Sequence, residues 1–284
     1  MVRALYSFLT WLIQPLLRRK LARRAVAEPG YAVAVEERFG HYTVPPDQGR
    51  VWIHAVSLGE TRAAAILLAR LREQMPGLRL LLTNGTATGR AEGEKLLRPG
   101  DVQVWQPWDT PGAVARFLDH FQPGIGILME TEVWPNLTAA CAARGVPLVL
   151  ANARLNERSF VKTLRLDGLA RPAYRALAAV WAQTEGDAAR LRALGAPVQG
   201  VFGNLKFDAT PDPMQREQGR IWRTALGRPV ILLASSREGE EELFLKEIVA
   251  YPSVEGSNFA INRGPIQSAP GVQWLIVPRH PQRF

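Results

Sequence analysis

From residue 51 to residue 202 one local pattern recurs: a short apolar run, a cluster of small and polar residues, then an amphipathic helical stretch. The runs fall at 51–54, 78–82, 102–105, 126–129, 146–150, 179–183 and 198–202. Apolar runs of this length bounded by turns are strands covered on both faces, and strands alternating with helices build a doubly wound parallel sheet. Right-handed crossovers then place the carboxyl ends of all the strands on one edge, where open α/β sheets bind their ligands. The expected fold class is therefore α/β, with the chemistry at the strand ends.

Those ends carry the candidate residues. Gly126-Ile127-Leu128-Met129 runs straight into Glu130, Thr131, Glu132, Val133, Trp134, Pro135 and Asn136. Position alone makes Glu130 and Glu132 candidates, although an acid there also caps a following helix or sits in solvent. After the first strand come Ser57, Gly59 and Glu60. A glycine permits close approach of a ligand to the backbone, and a carboxylate in the first helical turn is kept ionised by the helix dipole, as a general base must be. The plainer reading of Glu60 is a stabilising first-turn acid, contributing a few tenths to about 1 kcal/mol. Thr86 lies in a hydroxyl-rich turn suited to a sugar or phosphate, or simply to starting a helix. Arg154 follows the fifth strand; Lys206 follows the last, where a cation meets an anionic ligand or is an ordinary surface lysine.

Charge narrows the partners. The net charge is +9, and residues 1–30 hold Arg3, Arg18, Arg19, Lys20, Arg23 and Arg24 against Glu28 alone. The rest of the chain is mildly basic and lacks the aromatic–basic interleaving that stacks bases, which argues against nucleic acid. Residues 4–17 form an uncharged run of 14, short of the ~20 apolar residues that span a bilayer. Leu5, Phe8, Leu9, Leu12, Ile13 and Leu16 recur at helical spacing, with Trp11 at the edge and the basic collar behind. An amphipathic helix of this kind lies in a membrane interface, each basic residue near an anionic leaflet adding about 1 kcal/mol. Residues 1–28 are expected to anchor the protein peripherally on the cytoplasmic face of a membrane; a helix packed on its own domain is the alternative. A single cysteine, Cys141, and four scattered histidines without an HExxH spacing argue against a disulfide or a metal site. The first strand is not followed by GxGxxG, which argues against a dinucleotide-binding dehydrogenase.

Residues 29–209 thus read as one complete domain and 210–228 as a linker helix. Residues 229–284 read as a second domain with strands at 229–234 and 272–277, a helix ending near 250, and a patternless link at 251–271. Two strands and one helix bury too little surface to stand alone, so this second domain is expected to be incomplete.

Taken together, His54-Ala55-Val56-Ser57-Leu58-Gly59-Glu60, Met129 to Leu137, Asn152-Ala153-Arg154-Leu155, Gly203-Asn204-Leu205-Lys206-Phe207-Asp208 and Pro278-Arg279-His280-Pro281-Gln282-Arg283-Phe284 resemble the 3-deoxy-D-manno-octulosonic acid (Kdo) transferases of Gram-negative bacteria. The resemblance implies a GT-B glycosyltransferase, built from two Rossmann-like domains. It also implies Kdo transfer from the donor substrate CMP-Kdo to the lipid A precursor, inverting, with no cofactor and no metal. On that resemblance Glu60 is the base, and Glu130 and Lys206 stabilise the transition state. Pro278 and Arg279 contact the CMP part of the donor, and Ser57, Gly59, Thr86, Asn136 and Arg154 bind substrate. Arg237 stands where family members usually have His, and the family continues past residue 284 into a nucleotide-binding region, so a C-terminally truncated chain is expected, with impaired catalysis as the alternative outcome.

Overall fold

A computed structural model describes residues 2–250 and 273–279, with backbone only for 247–250. The patternless link and the end of the last motif, from His280, lie outside the described residues. The chain divides into two compact units, Met1–Ala209 and Thr210–Phe284.

The first unit is a seven-stranded parallel sheet made of β1 (Val51–His54), β2 (Leu80–Asn84), β3 (Val102–Trp105), β4 (Ile125–Met129), β5 (Leu148–Ala153), β6 (Ala179–Ala182) and β7 (Val198–Val201). Their spatial order is β3-β2-β1-β4-β5-β6-β7, the doubly wound arrangement whose direction of winding reverses between β1 and β4. Two helices, α1 (Val2–Leu12) and α2 (Gln14–Ala27), precede the sheet. The crossovers are α3 (Leu58–Gln74), α4 (Ala87–Glu94), α5 (Pro111–Phe121), α6 (Pro135–Ala143), the pair α7 (Glu157–Leu164) and α8 (Asp167–Arg175), and α9 (Glu185–Ala193).

The apolar runs of β1, β2, β4 and β5 are continuous because these strands are buried on both faces. Trp52, Leu81, Val104, Leu128 and Leu150 point to one side and pack with Phe117, Phe121, Leu137, Cys141 and Leu191 from the helices there. Their neighbours Ile53, Leu80, Leu82, Ile127, Met129 and Val149 point to the other, against Ala63, Ala64 and Leu68 of α3. Gly126 lies opposite Trp52 in the register, and a Cβ on it would stand 2.6 Å from the indole and 2.5 Å from Leu148, so only glycine fits beneath that ring.

Two strands run further into their polar ends than the apolar pattern indicates. β2 extends through Thr83 and Asn84, both fully buried, because these side chains are satisfied across the sheet. Thr83 Oγ1 accepts from Trp52 Nε1 at 2.8 Å, and Asn84 Nδ2 donates to Ala55 O at 2.8 Å. β5 likewise reaches Ala153, so Asn152 belongs to the strand rather than to the loop beyond it.

The apolar N-terminal run is two helices rather than one. They break at Ile13, just before Pro15, whose missing N–H confines it to a first helical turn. Leu5, Phe8, Trp11, Leu12 and Leu16 are exposed, while Tyr6 Oη donates to Asp109 at 2.9 Å and Ser7 Oγ to Asn136 at 2.8 Å. The basic collar is partly engaged by its own domain, since the Arg18 and Arg24 guanidinium groups stack on Phe39 and Tyr31. Among the described residues no helix is long and apolar enough to cross a membrane.

The second unit contains α10 (Pro213–Leu226), β8 (Val230–Ser236), α11 (Glu240–Ala250) and β9 (Gln273–Pro278). β8 and β9 pair in parallel, with Phe244 of α11 edge-on to Trp274 at 5.9 Å. Pro278 ends β9, and the exposed Arg279 donates its backbone N–H to Ser236 O at 2.9 Å, which ties it to the end of β8.

Candidate active site

The winding reversal between β1 and β4 opens the carboxyl edge of the sheet, and the three acids of the sequence analysis converge there. Glu60 enters from the first turn of α3, and Glu130 and Glu132 from the turn after β4.

Glu60 closes a capping box with Ser57. The Ser57 hydroxyl accepts the Glu60 N–H at 3.3 Å and donates to Glu60 Oε1 at 2.8 Å, while Glu60 Oε2 accepts the Val56 N–H at 2.9 Å. The first-turn role and the site position therefore coincide in one side chain. The dipole was expected to hold this carboxyl ionised; instead its proton affinity is raised, because burial outweighs those hydrogen bonds and the Glu130 charge adds to it. A raised pKa brings a base closer to the working pH, where general-base catalysis is most efficient.

Glu130 is buried and sits at φ +55°, in the left-handed region that disfavours a residue with a Cβ. The backbone is held there by Glu130 N–H donating to Ala151 O at 3.0 Å and by Arg154 N–H donating to Glu130 O at 3.2 Å. Its Oε2 lies 2.8 Å from Arg154 Nε and its Oε1 3.5 Å from Lys206 Nζ, with both cations half-exposed. A buried carboxylate thus aims two solvent-facing cations at the mouth of the edge. Lys206 owes its place to Asn152, also left-handed at φ +52°, whose Oδ1 accepts the Leu205 N–H at 3.1 Å, and to Asn204, whose Oδ1 accepts the Lys206 N–H at 3.0 Å.

Of the residues expected to bind substrate, Arg154 faces this site. A Cβ built on Gly59 would stand 3.9 Å from Lys206 Nζ and 4.0 Å from Ser57 Oγ, both ordinary contacts, so neither packing nor backbone conformation requires a glycine beside the ammonium. Three others are committed to the scaffold. Ser57 spends its hydroxyl on the capping box. Thr86 caps α4, donating to Val56 O at 3.0 Å and accepting from Gly89 N at 3.1 Å. Asn136 is buried beneath α1, accepting from Ser7 and donating to Asp109 O at 2.7 Å, while Asp109 accepts the Asn136 and Leu137 N–H groups in place of a conventional cap. Asn136 therefore docks the N-terminal helix and lies outside the acid cluster.

Sequence reasoning left Glu132 undecided and gave no role to His54. Glu132 Oε2 accepts Trp134 Nε1 at 2.9 Å and lies 3.9 Å from His54 Nε2. Burial, together with the charges of Glu60 and Glu130, pushes the Glu132 carboxyl up to about 7. His54 is fully buried, which pushes its imidazole down to about 4.

A parallel α/β sheet whose winding reversal gathers buried carboxyls and two half-exposed cations has a Rossmann-like architecture. The family model described as 3-Deoxy-D-manno-octulosonic-acid transferase (kdotransferase) matches residues 34–209, so the chain belongs to that family. It is 43% identical over 293 aligned residues to the 3-deoxy-D-manno-octulosonic acid transferase of Bordetella pertussis, covering 100% of this chain and 65% of that protein. It is 32% identical to the enzyme of the same name from Haemophilus influenzae, again over 100% of this chain and 65% of the other. The chain thus spans about two thirds of the length of these curated relatives. A UDP-GlcNAc 2-epimerase from Neisseria meningitidis, solved with UDP-GlcNAc, shares the fold at a TM-score of 0.53 and 15% identity, over 81% of this chain and 72% of that one.

Proposed function

We propose that this chain carries the acceptor side of a glycosyltransferase that moves Kdo from CMP-Kdo to the lipid A precursor in lipopolysaccharide synthesis. The observation that carries the reading is the grouping of Glu60, Glu130, Lys206 and Arg154 at the winding reversal of a Kdo-transferase-family domain. In this mechanism Glu60 takes the proton of the acceptor hydroxyl as its oxygen attacks the anomeric carbon of Kdo. CMP departs from the opposite face, so configuration inverts. Lys206 and Arg154, oriented by Glu130, supply positive charge where the donor sugar's carboxylate and the leaving phosphate develop theirs, without a resident metal. Pro278 and Arg279 of the second unit contribute to the nucleotide site of a GT-B pair. The exposed apolar face of α1 and the free members of the collar, Arg19, Lys20 and Arg23, hold the protein on the anionic cytoplasmic face of the inner membrane, where the acceptor lipid lies.

The test is transfer to lipid A precursor followed by mass spectrometry, with wild-type protein and Glu60→Gln. A Kdo-modified lipid whose formation falls roughly 10²–10⁴-fold in the variant supports the reading. Equal rates for the two proteins refute the role of Glu60.

A further inference from the structure

β5 and β6 do not pair evenly. Leu150 lies opposite Val180 and Ala153 opposite Ala182, so Ala151 and Asn152 bulge against Trp181 alone. In this bulge the Asn152 carbonyl takes a hydrogen bond from a side chain, Gln183 Nε2, at 2.9 Å. Gln183 is the residue after β6, and its own N–H donates to Ala153 O at 2.8 Å. The other end of the same amide reaches the segment after β7, where Gln183 Oε1 accepts from Asn204 Nδ2 at 3.2 Å. Asn204 Oδ1 in turn accepts the Lys206 N–H at 3.0 Å, and Asn152 Oδ1 accepts the Leu205 N–H at 3.1 Å. Three amides thus close a ring around the single helical turn Leu205–Asp208 that carries Lys206. Backbone groups fix the sense of every bond in it. The Leu205 and Lys206 N–H groups can only donate and Asn152 O can only accept, so Asn204 must turn its NH₂ to Gln183, and Gln183 its NH₂ to Asn152.

We propose that Gln183 is a positioning residue for Lys206: by bridging the bulge of β5 to the turn after β7, it sets where the ammonium stands relative to Glu130 Oε1, 3.5 Å away. The turn needs such a brace. It follows Gly203, which lies at φ +80° in open space and gives the chain after β7 freedom to swing. Of its apolar residues Leu205 packs against the core, whereas the flanking Phe202 and Phe207 are exposed, so apolar packing holds it at one point and the amide ring supplies the rest. A carboxamide suits the place because it donates from one atom and accepts at the other. A carboxylate of the same shape would set an acceptor against the Asn152 carbonyl.

The kinetic consequence rests on the transferase reading above, whereas the placement of Lys206 does not. Reductive ¹³C-methylation labels Lys20, Lys95, Lys162, Lys206 and Lys246 while leaving each amine charged, and the Lys206 signal is assigned by its loss in Lys206→Arg. Glu130→Gln should move that signal by ending the ion pair. Gln183→Met, which keeps the volume and removes both hydrogen bonds, should move it the same way and leave the other lysine signals in place. Gln183→Glu, which cannot donate to Asn152 O, should do likewise and serves if the Met variant does not fold. A Lys206 signal unmoved in Glu130→Gln or in a folded Gln183 variant overturns the proposal whether or not the chain transfers Kdo. In the transfer assay Gln183→Met should lower kcat by roughly ten- to hundredfold with an unchanged KM for the lipid. On a Lys206→Gln background the same substitution should cost nothing further, because it acts through Lys206; fully additive losses would refute it.

Discussion

Replacing Glu130 by glycine separates function from stability at a single position. Three local terms govern the change in folding free energy. A Cβ-bearing residue in the left-handed region costs about 1–2 kcal/mol, which glycine recovers. Glycine gives back roughly 0.5–1 kcal/mol through the greater freedom of its unfolded chain. The ion pairs are lost, but Arg154 and Lys206 are 57% and 51% exposed, so each pair is worth about 0–1 kcal/mol after solvent screening. The terms nearly cancel, and Glu130→Gly should unfold within about 1 kcal/mol of the wild type, a shift of no more than about 4 °C for a domain of this size. Transfer should nevertheless fall by roughly 10²–10³, because the cations lose the carboxylate that aims them. Thermal unfolding followed by circular dichroism, with the mass-spectrometric transfer assay in parallel, measures both. A destabilisation of about 3–5 kcal/mol, the usual cost of breaking a fully buried ion pair, would show that Glu130 is structural and that the strain argument is wrong.

Three further outcomes follow from the same geometry. Because His54 is pushed down to about 4 when folded but titrates normally when unfolded, the stability it supports is complete above about pH 6.5 and drains away as pH falls toward 4; acid unfolding of His54→Gln should show a shallower slope over that window, by about 3 kcal/mol in total. Gly59→Ala should leave stability unchanged or raise it by up to about 1 kcal/mol, since the methyl meets Lys206 Nζ at 3.9 Å and Ser57 Oγ at 4.0 Å, so any lost transfer in that variant reports occupation of ligand space. Replacing Leu5, Phe8 and Leu12 by Gln should abolish flotation with anionic vesicles, whereas replacing the exposed Arg19, Lys20 and Arg23 by Gln should make flotation weaker and less salt-sensitive; vesicle binding unaffected by both sets would refute the anchor.

Much of the fold was legible because a parallel sheet buried on both faces leaves continuous apolar runs. β1, β3 and β4 fall within a residue of those runs. The carboxyl ends of β2 and β5 were placed too early because hydropathy does not register Thr83, Asn84 and Asn152 as strand residues when the partners that satisfy them are far away in sequence. The helix break at Ile13 had a visible cause in Pro15, but the apolar periodicity ran across it unchanged.

The sequence by itself determined which side chains reach the edge of the sheet, since a residue just past a buried strand has nowhere else to go. This holds for Glu60, Glu130, Arg154 and Lys206. Only the tertiary structure decided which groups their polar atoms pair with. The hydrogen bonds of Ser57, Thr86 and Asn136 to backbone groups, helix ends and α1 are likewise visible only in the fold. Glu132 looks like a turn acid until it lies between Trp134 and a buried His54. Hydrogen bonding and desolvation are set by neighbours distant in the chain, and at this edge those neighbours separate the scaffold from the site.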